Sequence, residues 1–122
     1  MSHTMNDASC ELLGDFFATF AHVTRMRIFC ALQRQPRTVT EIAAEAHVSI
    51  TNASQHLRIM RDRGAVVAEK HAQSVIYRIT DPRFIEAALL IREALTARLR
   101  QSAEEASERP SRHRSRRRLQ SA

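Results

Sequence analysis

Glycine is nearly absent. Gly14 and Gly64 are the only two in 122 residues, so there is no glycine-rich loop to cradle phosphates, and nucleotide chemistry of that kind is excluded. Cysteine is equally scarce, and Cys10 and Cys30 cannot build the framework of a disulfide-stapled secreted domain; in a reducing compartment both are thiols. Long hydrophobic runs are also missing. The longest, Phe84 to Ile91, is broken by Glu86 and falls far short of a membrane span. Residues 1–6 lack the cationic start and apolar stretch of a secretory signal, which leads to the expectation of a cytoplasmic protein with no membrane partner. No serine has a nucleophile context, and His22, His47, His56 and His71 have no carboxylate partner evident in the sequence, so an enzyme is not expected. With 43% hydrophobic and 26% charged residues, the chain has the balance of one globular domain with appendages.

Positive charge is present, but in one place. Arg109, Arg112, Arg114, Arg116, Arg117 and Arg118 fall in the last fourteen residues, which hold no acid; the other 13 of the 19 basic residues balance the 13 acidic ones. The main body is therefore formally neutral, and any nucleic-acid contact it makes needs a local patch rather than a general field. The tail has almost nothing apolar to bury. It reads as disordered when free, either a solubilising end or a nucleic-acid arm, and the absence of an aromatic platform beside the arginines argues against base stacking on RNA.

The apolar pattern divides the body into elements. Leu13, Phe16, Phe17 and Phe20 recur at helical spacing, and a second helix follows with Thr24 as a candidate N-cap and Met26, Ile28, Phe29 and Leu32 as buried positions, ending before Pro36. Thr38-Val-Thr-Glu41 has the form of a capping box and predicts a short helix over Val39 to Ala46. Ser49 is placed to cap a further helix from Ile50 to Arg63, stopped by Gly64. Two helices joined by so short a turn make a helix-turn-helix unit. From Val66 to Lys70 and from Val75 to Ile79 the period shortens to that of a β-hairpin, whose tip, His71-Ala-Gln-Ser74, lacks glycine and so argues against a two-residue primed turn. Asp81-Pro82 starts a last helix carrying Phe84, Ala88, Ile91, Leu95 and Leu99, with the pattern fading between Arg100 and Glu108.

The expected fold is mainly α (α+β): a winged helix-turn-helix with a two-stranded β-hairpin wing and flanking dimerisation helices. Residues 1–10 are expected to be flexible, 11–100 to form the domain and 101–122 to be an Arg-rich tail. The flanking stripes exceed what so small a core can cover, which makes a symmetric homodimer the simplest arrangement. A helix in the major groove offers its N-terminal side chains to base edges. Ser49, Thr51, Asn52, Ser54, Gln55, His56 and Arg58 supply the amides, hydroxyls and guanidinium that such reading uses, and Arg78 lies in the wing. Ala53, Leu57 and Met60, with Ile50 at their edge, form the buried face. The expected partner is double-stranded DNA at a promoter or operator, and no cofactor is implied.

The stretches Phe20-Ala-His22-Val-Thr-Arg25-Met-Arg27-Ile-Phe, Val48-Ser49-Ile-Thr-Asn-Ala-Ser54-Gln55-His56-Leu57-Arg58 running to Gly64, and Val75-Ile-Tyr77-Arg78-Ile79 resemble the ArsR/SmtB-type winged-helix repressors of bacteria over about residues 12–100. The resemblance implies a homodimer that blocks transcription at a partly palindromic operator and is released by an inducer. Val23 stands where many members have proline. The metal-ligand sets of the family are not met: Glu41 to Ala46 holds no thiol, and residues 82–108 hold no histidine, so no metal site is assigned. The position of Cys30 resembles the second-helix cysteine of the family's thiol sensors, and Cys10, near a helix start that favours thiolate, is the one available partner. The competing reading, in which Cys30 is a small buried hydrophobe, is preferred here because cysteine is among the most buried residue types. The remaining alternatives are a repressor or protein-interaction module with no inducer site of its own, or a metal response through an unrecognised site.

Overall fold

Each helix start is fixed by a side chain that takes up an otherwise orphaned amide. In the computed structural model, which describes residues 4–108, helix α1 (Asp7–Phe20) is capped by Asn6, whose side chain accepts from the Ser9 amide at 2.9 Å. The helix thus begins inside the stretch that sequence analysis leaves flexible. Helix α2 (Val23–Leu32) is capped by His22 and not by Thr24: the imidazole Nδ1 accepts from the Thr24 amide at 3.2 Å, and Thr24 itself is buried. Strand β1 (Arg37–Thr38) leads straight into α3 (Val39–Ala46), where Thr38 and Glu41 close a full capping box. Ser49 Oγ accepts from the Asn52 amide at 3.0 Å to start α4 (Ile50–Asp62).

Helix α4 ends as its sequence demands. Gly64 takes φ 78°, its amide donates to the Arg61 carbonyl and the Ala65 amide to that of Met60, the paired bonds of a Schellman motif. Strands β2 (Val66–His71) and β3 (Ser74–Ile79) form the wing, in antiparallel register from Val66 opposite Ile79 to His71 opposite Ser74. That register leaves a two-residue loop, Ala72-Gln73, where sequence analysis argues against one, with Ala72 at φ 55° in place of the missing glycine. A second difference is β1. It pairs antiparallel with β3, Arg37 opposite Tyr77 and Thr38 opposite Ile76, so the sheet has three strands in the order β1-β3-β2.

The chain divides into two compact units, one through Ile85 and one from Glu86. The core of the first is built by Ile28, Phe29 and Leu32 of α2, Ile42, Ala43 and Ala46 of α3, Ala53, Leu57 and Met60 of α4, and Ala65, Val66 and Ile79 at the root of the wing. Met26 is only half-buried. Phe16 of α1 meets Phe20 at 5.0 Å and Phe84 at 4.9 Å between ring centroids, and Phe20 meets Phe29 at 5.1 Å, so α1 is held by aromatic edges. Helix α5 (Pro82–Glu108) opens on Asp81, whose carboxylate pairs with the Arg83 guanidinium at 2.7 Å and also accepts from the Arg83 amide, holding the acid down at about 2. The helix continues through the stretch where the sequence pattern fades. In the second unit Leu90, Ile91, Leu95 and Leu99 are all exposed, as are Leu12, Leu13 and Phe17 on α1. No helix among the described residues is long and apolar enough to cross a membrane.

Candidate nucleic-acid interface

Helix α4 carries two faces set by one periodicity. Ala53, Leu57 and Met60 are completely buried, while Thr51, Asn52, Ser54, Gln55 and Arg58 are exposed. The five exposed side chains span the first turns of the helix, and none of them makes a side-chain hydrogen bond or ion pair recorded among the described residues. Ser49, immediately before them, is exposed but has its oxygen engaged in capping. Ile50 departs from expectation: it is 51% exposed at the first position of α4, an apolar branch within the polar face and not part of the core. The sequence allows Ile50 on either face, at the head of the groove-facing residues or at the edge of the buried set, and the structure puts it outside.

The turn between α3 and α4 is short and fixed. His47 closes α3 in the left-handed region at φ 59°, and the Val48 amide returns to the Ala43 carbonyl at 3.1 Å. Arg37 braces α3 from the sheet side, donating to the Ala31 carbonyl at 2.8 Å and pairing with Glu45 at 2.9 Å.

In the wing, Arg78 is exposed and held by Glu69 of the neighbouring strand at 2.8 Å, with His71 Nε2 3.4 Å from the other carboxylate oxygen. The Arg78 hydrogen bond, followed by that of His71, holds the Glu69 carboxyl below its usual value. Sequence analysis picked out Arg78 but not its acid partner, because the diagonal between strands follows only from the register.

His56 differs from the other residues of the candidate set. It is half-buried, its ring lies 4.6 Å from that of His22 at a tilt of 44°, and its Nδ1 is buried without a hydrogen-bond partner. Burial lowers its pKa, and His22 and Arg25 push it further the same way. It stands apart from the exposed face. Both thiols are free and exposed, so Cys30 is not the packed hydrophobe that sequence analysis prefers. Among the described residues no three His, Cys, Asp or Glu side chains gather to hold a metal ion. The arginine tail from Arg109 onward lies outside the described residues.

A capped helix pair with an antiparallel hairpin folded behind it defines the winged helix-turn-helix class. Residues 20–68 match a family described as a helix-turn-helix domain. The chain is 33% identical over 86 residues to the HTH-type transcriptional regulator Rv0081 of Mycobacterium tuberculosis, covering 70% of this chain and 75% of that protein. It is 32% identical over 71 residues to the repressor SmtB of the same organism, covering 58% and 53%. The crystal structure of Rv0081 superposes with a TM-score of 0.72 at 29% identity, over 80% of this chain and 99% of that one. The homodimeric winged helix-turn-helix DNA-binding domain of Mb0332 from Mycobacterium bovis shares the fold, with a TM-score of 0.71 at 21% identity over 83% and 95%. The chain belongs to the ArsR/SmtB-type winged-helix transcriptional regulators.

Proposed function

We propose that this regulator is a homodimeric, sequence-specific DNA-binding repressor that leaves its operator when an inducer arrives. The observation that carries the reading is the unengaged polar face of α4, projecting from a helix whose opposite face is fully buried. Asn52 and Gln55 are suited to bidentate pairing with adenine, Thr51 and Ser54 to phosphate or base contacts, and Arg58 to guanine or phosphate. Ile50 adds an apolar branch of the kind that meets a thymine methyl group. Arg78 serves the backbone beside the wing once it leaves Glu69.

Dimerisation is supported by the exposed apolar residues of α1 and, taken separately, of α5, and by the homodimeric domain of Mb0332. Its two reading helices would address half-sites about 34 Å apart or a multiple of that spacing. The test is selection of bound sequences from a randomised duplex pool, followed by fluorescence anisotropy on the selected site. A partly palindromic consensus is the expected result; binding that ignores sequence, or none, would return the chain to the protein-interaction reading.

A thiol response is favoured by one observation, the exposure of both free cysteines. Peroxide would oxidise the Cys10 and Cys30 thiols to a disulfide, within one subunit or across the dimer, with both S–H hydrogens leaving as the peroxide is reduced to water, and lower DNA affinity. Such a bridge requires Cα atoms within about 7 Å. If the response to peroxide is the same in Cys30→Ser as in the unaltered chain, this second reading is wrong.

A further inference from the structure

The tilted ring pair His22 and His56 joins the start of α2 to the middle of α4, and its two rings do different jobs. His22 Nδ1 accepts the Thr24 amide at 3.2 Å, so that nitrogen carries no proton, and an imidazolium, which has two donors and no acceptor, could not serve as this cap. The His56 ring lies 4.6 Å away, with Nδ1 buried and unpartnered. A proton there would create a buried cationic donor with nothing to receive it.

None of the elements packed on α4 brings an acid that acts on that proton. From α2 come His22 and Arg25, the two groups that act on His56, and Arg25 is fixed by its own bond to the Thr19 carbonyl. On α3, Glu41 is committed to Thr38 and Glu45 to Arg37. On β2, Glu69 is committed to Arg78 and His71, while Lys70 is exposed. Along α4 itself Arg58, Arg61 and Asp62 are exposed. No acid acts on His56.

We propose that His22 and His56 are a positioning pair that seats the reading helix on α2 only while the His56 ring is neutral, so that mild acid unseats α4 and weakens DNA binding. The inference rests on the reading of α4 as the DNA-contacting element. His56 is held below its ordinary value of 6.5, chiefly by burial and then by His22 and Arg25. The folded state thus binds fewer protons than the unfolded one. The contribution of His56 is complete above 6.5 and is lost as the pH falls from there toward the lowered folded value.

The experiment measures anisotropy of the full chain on its selected duplex from pH 8 to pH 5.5 at constant ionic strength, with the thermal midpoint recorded without DNA at each pH. Unaltered chain should lose affinity below 6.5, by up to about tenfold per pH unit for one linked proton. His56→Gln should flatten that acid limb. His22→Asp keeps a capping oxygen for Thr24 and gives a protonated His56 an anionic partner, so its acid limb should vanish or reverse in both affinity and midpoint. A flat profile in the unaltered chain, or an acid limb that persists unchanged in both variants, overturns the proposal. Failure of the DNA reading looks different: no sequence is selected at any pH. The pair is then judged on the midpoint alone, and an acid-induced fall that His22→Asp does not remove overturns its positioning role.

Discussion

Gln55 is exposed in the second turn of α4 with both ends of its amide available, and that is what makes it informative. Gln55→Ala should cost about 1–3 kcal/mol at a single base position and relax discrimination there, measured by anisotropy on duplexes substituted one position at a time. Thr38 carries the opposite kind of role, because its hydroxyl and its amide both engage Glu41 to close the start of α3. Thr38→Ala should lower stability by about 1 kcal/mol in urea unfolding and leave the base preferences of the selected site unaltered. The glutamate of that box is held below its usual value, first by the Thr38 amide and then by the Thr38 hydroxyl. These two residues could be read from the sequence because their chemistry is local. His56 could not, since the ring it meets, His22, lies more than thirty residues earlier in the chain.

Among the elements, the wing tip is the least comfortable. Ala72 sits at φ 55°, a left-handed conformation that costs a residue with a Cβ about 1–2 kcal/mol. Ala72→Gly should therefore raise the thermal midpoint slightly, the relief exceeding the added freedom of the unfolded chain, and calorimetry of the two proteins side by side checks it. The helix-turn-helix was legible almost to the residue, since Thr38 with Glu41, then Ser49, then Gly64 mark its starts and its stop in sequence. Strand β1 was not, because two residues are too few to show an alternation and its existence depends on β3 arriving beside it. The start of α2 was misplaced for a related reason: Thr24 is a common cap and His22 an uncommon one, and the bond from the Thr24 amide to the imidazole decides between them. The far end of α5 escaped the apolar pattern because Arg100 to Glu108 is helical while exposed, so no buried stripe marks it.

For the whole molecule, the reading of the exposed apolar residues as a dimer surface carries a direct consequence. Glutamate at Leu13 and at Leu95, both exposed in the single chain, should leave the fold intact yet shift the protein toward monomer in sedimentation velocity. Operator affinity should then fall by about 10²-fold or more, because two linked readers become two separate ones. The overall charge of this chain says little about its body: the first 108 residues are formally neutral, and the excess arginines lie beyond Glu108. The geometry at Thr38 has one more implication. This residue is at once the last of β1, set opposite Ile76 of the strand that carries Arg78, and the cap from which α3 begins. A duplex that bends the hairpin would tug on the same peptide that anchors the helix-turn-helix, so wing and reading helix should feel a groove as a single lever, with its fulcrum at one threonine.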